Sequence, residues 1–176
     1  LNELTKLDLQ AASIKIVAIE KFQKPLLYIC RVLADNRFQK LLQQVDSQAP
    51  GLCAGNFGIY TFTLLCKSRS VRVHFDLLQG DLRQTVPSMV PKFGSIFDGI
   101  FHDPFSPRRV PELWTIDLFE CYKKLLFEPT GKVVTYSSAS AIRSAFQQCG
   151  MIVRRTNAVG GKSGGTLVML PCAIID

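Results

Sequence analysis

Three acidic residues, Glu20, Asp81 and Asp103, stand where a chain built of strands and helices can do chemistry, since each closes an apolar run. Asp103 is the most constrained of them. Residues 96–101, IFDGIF, are apolar enough for a buried strand, which ends on His102-Asp103 and stops at Pro104. Proline cannot donate to a sheet ladder and keeps the residue before it out of helical geometry. Pro107 and Pro111 stiffen the next stretch of chain, and Glu112-Leu113-Trp114 leads into an amphipathic helix expected over Trp114 to Leu126. A partly desolvated carboxylate held in such a loop can take a proton, or orient an amine through a charge-assisted hydrogen bond. His102 is adjacent, but neighbours on an extended chain point to opposite sides. Only one of the two faces a given pocket, and the choice falls on Asp103. A carboxylate at the carboxyl end of a strand sits where open α/β sheets carry their ligands, which is the reason to read the chain as an enzyme.

Glu20 closes the β-rich run IKIVAI at 14–19. In an α/β sheet that binds a nucleoside, an acid there accepts hydrogen bonds from the two ribose hydroxyls; the bland alternative is a solvated strand end. Asp81 follows Gly80 after another strand. It either accepts a hydrogen bond from an adenine amino group or simply forms a turn. At the ends of successive strands, the two acids reinforce one another.

Other motifs fail on inspection. GGKSGG at 160–165 looks like a phosphate-binding loop, but a P-loop needs glycine at 156, where the chain has Thr156. Lys162 remains a candidate for a phosphate contact, against the plainer reading of a flexible turn. Ser106 lacks the glycine-flanked nucleophile elbow. His74 and His102 are the two histidines, and the six cysteines (30, 53, 66, 121, 149, 172) form no CxxC or Cys/His cluster, which speaks against a metal centre. Cysteines inside apolar periodic segments are usually small buried hydrophobes. They are read as reduced, in a cytoplasmic protein.

Pattern assigns the strands and helices around these residues. After the strand 14–19, Pro25 suits the first turn of a helix carrying Leu26, Leu27, Ile29, Cys30, Val32 and Leu33. A second helical stretch is expected through Phe38, Leu41, Leu42 and Val45, then a loop over 46–58. Residues 60–66 and 71–77 alternate as strands joined by Lys67-Ser68-Arg69-Ser70, and Val86–Met89 leads into a proline-marked loop at Pro91. KVVTY at 132–136 is a buried strand, with Ser137-Ser138 before a helix from Ala139 to Cys149 and Gly150 as its stop. Residues 151–153 and 166–170 form a terminal hairpin. Strands alternating with helices imply a mainly parallel sheet with an antiparallel pair at its C-terminal edge.

At 176 residues, with 47% hydrophobic and 20% charged, the chain is one globular domain with a sizeable core. Its longest apolar runs are too short to cross a bilayer as a helix, and it shows no secretory leader. The net charge of +7 hints at a polyanionic partner. Arg69, Arg72, Arg108, Arg109, Arg154, Arg155 and Lys162 are scattered, and become a phosphate-binding surface only if loops gather them.

Several segments together resemble the tRNA 5-methylaminomethyl-2-thiouridine methyltransferase family. They are His102-Asp103-Pro104-Phe105-Ser106-Pro107 with Pro111-Glu112-Leu113-Trp114-Thr115, then Thr135-Tyr136-Ser137-Ser138-Ala139 with Ile142-Arg143, and the Gly-Lys-rich turn before Thr166. The similarity covers roughly residues 14–171. It implies a Rossmann-like, S-adenosylmethionine-dependent methyltransferase fold as a single domain over 1–176. It also implies transfer of a methyl group to the aminomethyl group of a modified wobble uridine in tRNA. By that resemblance Glu20 holds the ribose, Asp81 the adenine end, and His102 belongs with the cofactor-binding residues. Asp103 faces the acceptor amine, while Phe105, Ser106, Pro107, Trp114 and Lys162 meet the tRNA. Phe105 and Trp114 either pack against the base or order the loop, with packing favoured for Trp114.

One departure stands out. Such methyltransferases carry a glycine-rich loop after a first strand, about one helix before the ribose-binding acid, yet the nineteen residues before Glu20 contain no glycine. The first strand is therefore expected to be missing from this chain, leaving strand edges open to association. Two readings compete: a tRNA methyltransferase, N-terminally incomplete here and with or without an oxidoreductase partner, or a non-catalytic RNA-binding protein on a degenerate methyltransferase fold. The absent loop favours the second; Glu20, Asp81 and Asp103 favour the first. A dehydrogenase would also need the absent loop.

Overall fold

The computed structural model describes residues 13–34, 42–48, 56–66, 69–157 and 164–171. They fall in two compact units, Leu1–Leu82 and Arg83–Asp176. Among the described residues no helix is long and apolar enough to cross a membrane.

The first unit is a four-stranded sheet in the order β1-β4-β3-β2 with one helix. Strand β1 (Ser13–Glu20) lies parallel to β4 (Arg69–Gln79), and helix α1 (Gln23–Ala34) packs on both. Strand β3 (Asn56–Cys66) runs antiparallel to β4 and to β2 (Leu42–Gln48). Val71, Val73 and Leu77 alternate along β4 into a core closed by Leu26 of α1, all nearly solvent-free. Two expectations give way here. Leu42 and Val45 lie in β2, not in a helix, and that strand takes up part of the expected loop. Their i, i+3 spacing is compatible with either element, and pairing with Leu64 and Phe62 of β3 decides it. The register shifts between Asn56 and Gly58, at the end of the expected loop, as glycine inside a strand commonly marks a bulge.

The second unit is a four-stranded sheet in the order β5-β6-β8-β7. Helix α2 (Leu82–Phe93) continues through Pro87 and Pro91, where a loop was expected. Each proline costs a backbone hydrogen bond, but Val86 and Met89, one turn apart, are both buried and anchor that face. Strand β5 (Gly99–His102) is shorter than its apolar run, since Phe97 makes only an isolated bridge to Leu126. After β5, Pro111–Leu113 form a single 3-10 turn, and helix α3 (Ile116–Leu125) begins two residues later than expected. Strand β6 (Lys132–Thr135) is parallel to β5, with α3 as the crossover. Helix α4 (Ser140–Gln148) ends at Gly150, whose φ of +73° a side chain would resist. Strands β7 (Ile152–Arg155) and β8 (Thr166–Met169) make the expected antiparallel hairpin, with β8 inserted between β6 and β7. Phe119 of α3 stacks on Phe146 of α4 at 3.8 Å, and both are fully buried, as are Val133 and Val168 of the sheet.

The sheets are mixed rather than mainly parallel. Of six strand pairs among the described residues, only β1–β4 and β5–β6 are parallel. Helices alternating with strands do mark the parallel pairs, but the β3–β4 hairpin and the inserted β8 need no crossover helix and leave no such mark.

Candidate active site

In the first unit, parallel pairing of β1 with β4 puts Glu20 opposite Gln79, so Glu20 and Asp81 emerge from the same end of adjacent strands. The Gly80 N–H donates to the Glu20 carbonyl at 3.0 Å and locks the two strand ends together. Glu20 is half-buried, and its Oε1 accepts the Phe22 backbone N–H at 2.9 Å. A carboxylate offers about four acceptor sites, so one backbone donor leaves it capacity for a diol. Asp81 accepts the Lys21 ammonium at 2.8 Å with its side chain about a third exposed (29%), so a ligand amine there would share the carboxylate with that lysine. Two acids at the carboxyl ends of neighbouring parallel strands fit a ligand bearing both ribose hydroxyls and an adenine amine.

In the second unit, β5 and β6 pair with His102 opposite Thr135, so Asp103 and Tyr136 leave the sheet side by side. Alternation along β5 then separates His102 from Asp103. His102 is 2% exposed, boxed edge-on by Trp114 at 4.5 Å, Tyr122 at 5.4 Å and Phe119 at 5.8 Å. Its Nδ1 shares a 2.8 Å hydrogen bond with the Tyr122 hydroxyl, and Nε2 is buried without a well-aligned partner. Burial pulls the imidazole down to about 4, the Leu113 backbone offsetting a lesser part, so the ring is neutral near pH 7. Burial likewise pushes the Tyr122 phenol far above its usual range. The His102 side chain therefore has no surface for a cofactor; only its backbone reaches the strand end.

Asp103 is exposed, and among the described residues no side chain hydrogen-bonds its carboxylate. Its direction is set by its backbone. Two aromatic side chains hold the loop after it. The Tyr136 hydroxyl donates to the Pro104 carbonyl at 3.0 Å, and the Trp114 Nε1–H donates to the Phe105 carbonyl at 3.0 Å. The Ser106 carbonyl then accepts the Arg109 and Val110 N–H groups, closing a turn in which Ser106 and Pro107 are half-buried. The Phe105 ring is 61% exposed, with the Arg109 guanidinium 5.9 Å from its centroid. Trp114, at 5% exposure, has no face left for a base. Of the two roles open to it, packing on a base gives way to ordering the Asp103 loop, with the indole lying against His102. Tyr136 received no role from the sequence; a tyrosine at the end of the strand parallel to β5 was the available signal.

The far side of this edge is tied together by Arg143. Its Nε donates to Thr166 Oγ1 at 3.0 Å and its guanidinium to the Gly165 carbonyl at 3.3 Å, while the Thr166 hydroxyl donates to the Ser137 carbonyl at 2.7 Å. Gly165 packs so tightly that a Cβ would run into the Thr135 carbonyl. Lys162 lies outside the described residues, and so does the turn around it.

Comparison with known proteins identifies the family. The family described as S-adenosyl-L-methionine-dependent methyltransferase matches residues 39–171, a span that includes Asp81 and Asp103 but not Glu20. An uncharacterized protein of Methanocaldococcus jannaschii is 39% identical over 95 residues, 53% of this chain and 25% of that protein. The tRNA 5-methylaminomethyl-2-thiouridine biosynthesis bifunctional protein MnmC of Idiomarina loihiensis is 33% identical over 91 residues, 52% of this chain and 15% of that protein. The crystal structure of MnmC2 from Aquifex aeolicus superposes with a TM-score of 0.55 at 25% identity, covering 91% of this chain and 45% of that one. The chain thus spans less than half the length of each of these relatives. Matched over more than half of its own residues, it belongs to the S-adenosyl-L-methionine-dependent methyltransferase family.

Proposed function

We propose that this chain is part of a methyltransferase that modifies tRNA, acting on the aminomethyl group of a wobble uridine. The observation that carries the reading is Asp103: an exposed carboxylate at the carboxyl end of β5, in a proline-braced loop fixed by two aromatic hydrogen bonds. A relative 33% identical over 91 residues is named for tRNA 5-methylaminomethyl-2-thiouridine biosynthesis, which supports the reading.

S-adenosylmethionine, the family's cofactor, supplies an electrophilic methyl group when bound. The residues of this chain do the rest. Glu20, its backbone locked by Gly80, would accept the ribose hydroxyls, and Asp81 the adenine amine in competition with Lys21. The Asp103 backbone follows His102, whose buried ring anchors the strand end. An alkylammonium has no lone pair, so the acceptor amine must lose a proton before it can react; Asp103 accepts that proton or holds the amine through it. Alignment of the amine supplies most of the acceleration. Phe105 presents an open ring on which a nucleobase can stack, beside Ser106 and Pro107 in the same turn. Lys162 would add a phosphate contact. Cys121 and Cys149 are free thiols, which suits the cytoplasm, where tRNA is modified. The relative's name describes a bifunctional protein, and an oxidoreductase partner activity is part of the same reading.

The test is isothermal titration of S-adenosylmethionine into the 1–176 chain and into a form extended upstream of Leu1. The expected result is saturable binding by the extended form, stronger than by the chain alone if a strand with its glycine-rich loop precedes Glu20. Binding by neither would overturn the enzyme reading and leave an RNA-binding protein on a degenerate methyltransferase fold.

A further inference from the structure

Among the described residues no side chain hydrogen-bonds the Asp103 carboxylate, but a contact that fixes the neighbouring main chain can aim it. Two contacts do so. The Tyr136 hydroxyl reaches across 32 residues of sequence to the Pro104 carbonyl, and the Trp114 indole reaches the Phe105 carbonyl, each at 3.0 Å. The two rings meet edge to face, with centroids 5.9 Å apart and planes at 90°. Successive carbonyls of one loop are therefore gripped by a pair of rings that brace each other. Trp114 is in turn wedged against His102, the residue before Asp103.

The two members of the pair differ in what they do for the fold. Trp114 is buried, and its loss would open the core. Tyr136 is 48% exposed, and an exposed phenol can exchange its protein hydrogen bond for water at little cost in stability. A merely structural purpose gives no reason for that hydroxyl to be spent on the carbonyl beside Asp103.

We propose that Tyr136 is a positioning residue: its hydroxyl fixes the Pro104 carbonyl and thereby aims the Asp103 carboxylate at the acceptor amine. This rests on the role proposed for Asp103. Burial first, and then the charge of Asp103, raise the Tyr136 phenol above its ordinary value, so it stays a donor throughout the neutral range. The geometry also requires Asp103 and Tyr136 to leave adjacent parallel strands at the same level, which the His102–Thr135 register provides.

Tyr136→Phe keeps the ring, and with it the brace on Trp114, while removing only the hydroxyl. In the full-length protein, turnover of undermodified tRNA should fall about 10- to 100-fold, the scale expected of a small misplacement of a catalytic group. KM for tRNA and for S-adenosylmethionine should stay within about twofold, because no binding contact is lost. Combined with Asp103→Ala, the substitution should cost nothing further, since both act through one carboxylate. Amide exchange at residues 105 and 106 should quicken in Tyr136→Phe. Unchanged turnover, a loss seen in KM instead of kcat, a loss additive with Asp103→Ala, or unaltered exchange would each overturn the positioning role alone. A wild-type protein that transfers no methyl group overturns the reading of the site itself, and the positioning role with it.

Discussion

At the scale of single residues, one strand end divides the labour between neighbours. His102 turns inward and is held neutral; Asp103 turns outward and keeps an open carboxylate. That the two point opposite ways was legible from alternation, because β5 is extended and Pro104 forbids a helix at Asp103; that His102 is the buried one was not, since the resemblance places it with the cofactor-binding residues. The hydrogen-bond partners of Trp114 and Tyr136 were not legible either. Their partners are backbone carbonyls nine and 32 residues away, and no local pattern encodes such a reach. Burial of His102 has a measurable consequence. Its imidazole is held at about 4 when folded, against 6.5 ordinarily. Between those values the unfolded chain binds the proton and the folded one does not, so stability rises with pH across that window. The contribution is full above about pH 6.5 and is lost as pH falls toward 4, on the order of 3 kcal/mol in all. Urea unfolding at pH 7.5 and pH 5 should show the drop, and His102→Gln should flatten it. An equal drop in that variant would assign the effect to other groups.

At the scale of elements, the strands and helices with strong local signals form where the pattern placed them: β1, α1, the β3–β4 pair, β6, α4 and the β7–β8 hairpin. The misses share a cause, which is that tertiary packing outweighed a local signal. Leu42 and Val45 pair with β3, and Pro87 and Pro91 ride inside α2 because its buried face holds the helix regardless. The insertion of β8 between β6 and β7 depends on a close approach that only glycine permits. Gly165 lies against the Thr135 carbonyl, its N–H donates to Thr156 Oγ1 at 2.7 Å, and its carbonyl receives both Arg143 and the Thr156 N–H. Gly165→Ala would force β8 away from the end of β6. It should destabilise the chain by about 1–3 kcal/mol, as overpacking in a tight interior does. A denaturant midpoint indistinguishable from wild type would show that the β6–β8 junction relaxes without cost.

At the scale of the whole molecule, two mixed sheets each bring acids to the carboxyl ends of a parallel strand pair: Glu20 and Asp81 in one, Asp103 in the other. The family match runs across both units, from residue 39 to 171. The family was therefore readable from a few motifs around Asp103, Trp114 and Tyr136. The sheet order was not, because inserting β8 and pairing β3 with β4 are decisions of the assembled fold. A net charge of +7 suits a polyanionic substrate, with Arg108, Arg109, Arg154 and Arg155 all exposed. Everything proposed for this strand end depends on Asp103 serving methyl transfer to tRNA. That role is tested by transfer of a radiolabelled methyl group from S-adenosylmethionine to undermodified tRNA by the full-length protein, wild type beside Asp103→Ala. Transfer by the wild type is expected, with a loss of at least about 100-fold in the variant and nearly equal cofactor affinity in both. Equal transfer by the two proteins, or none by the wild type, would contradict it.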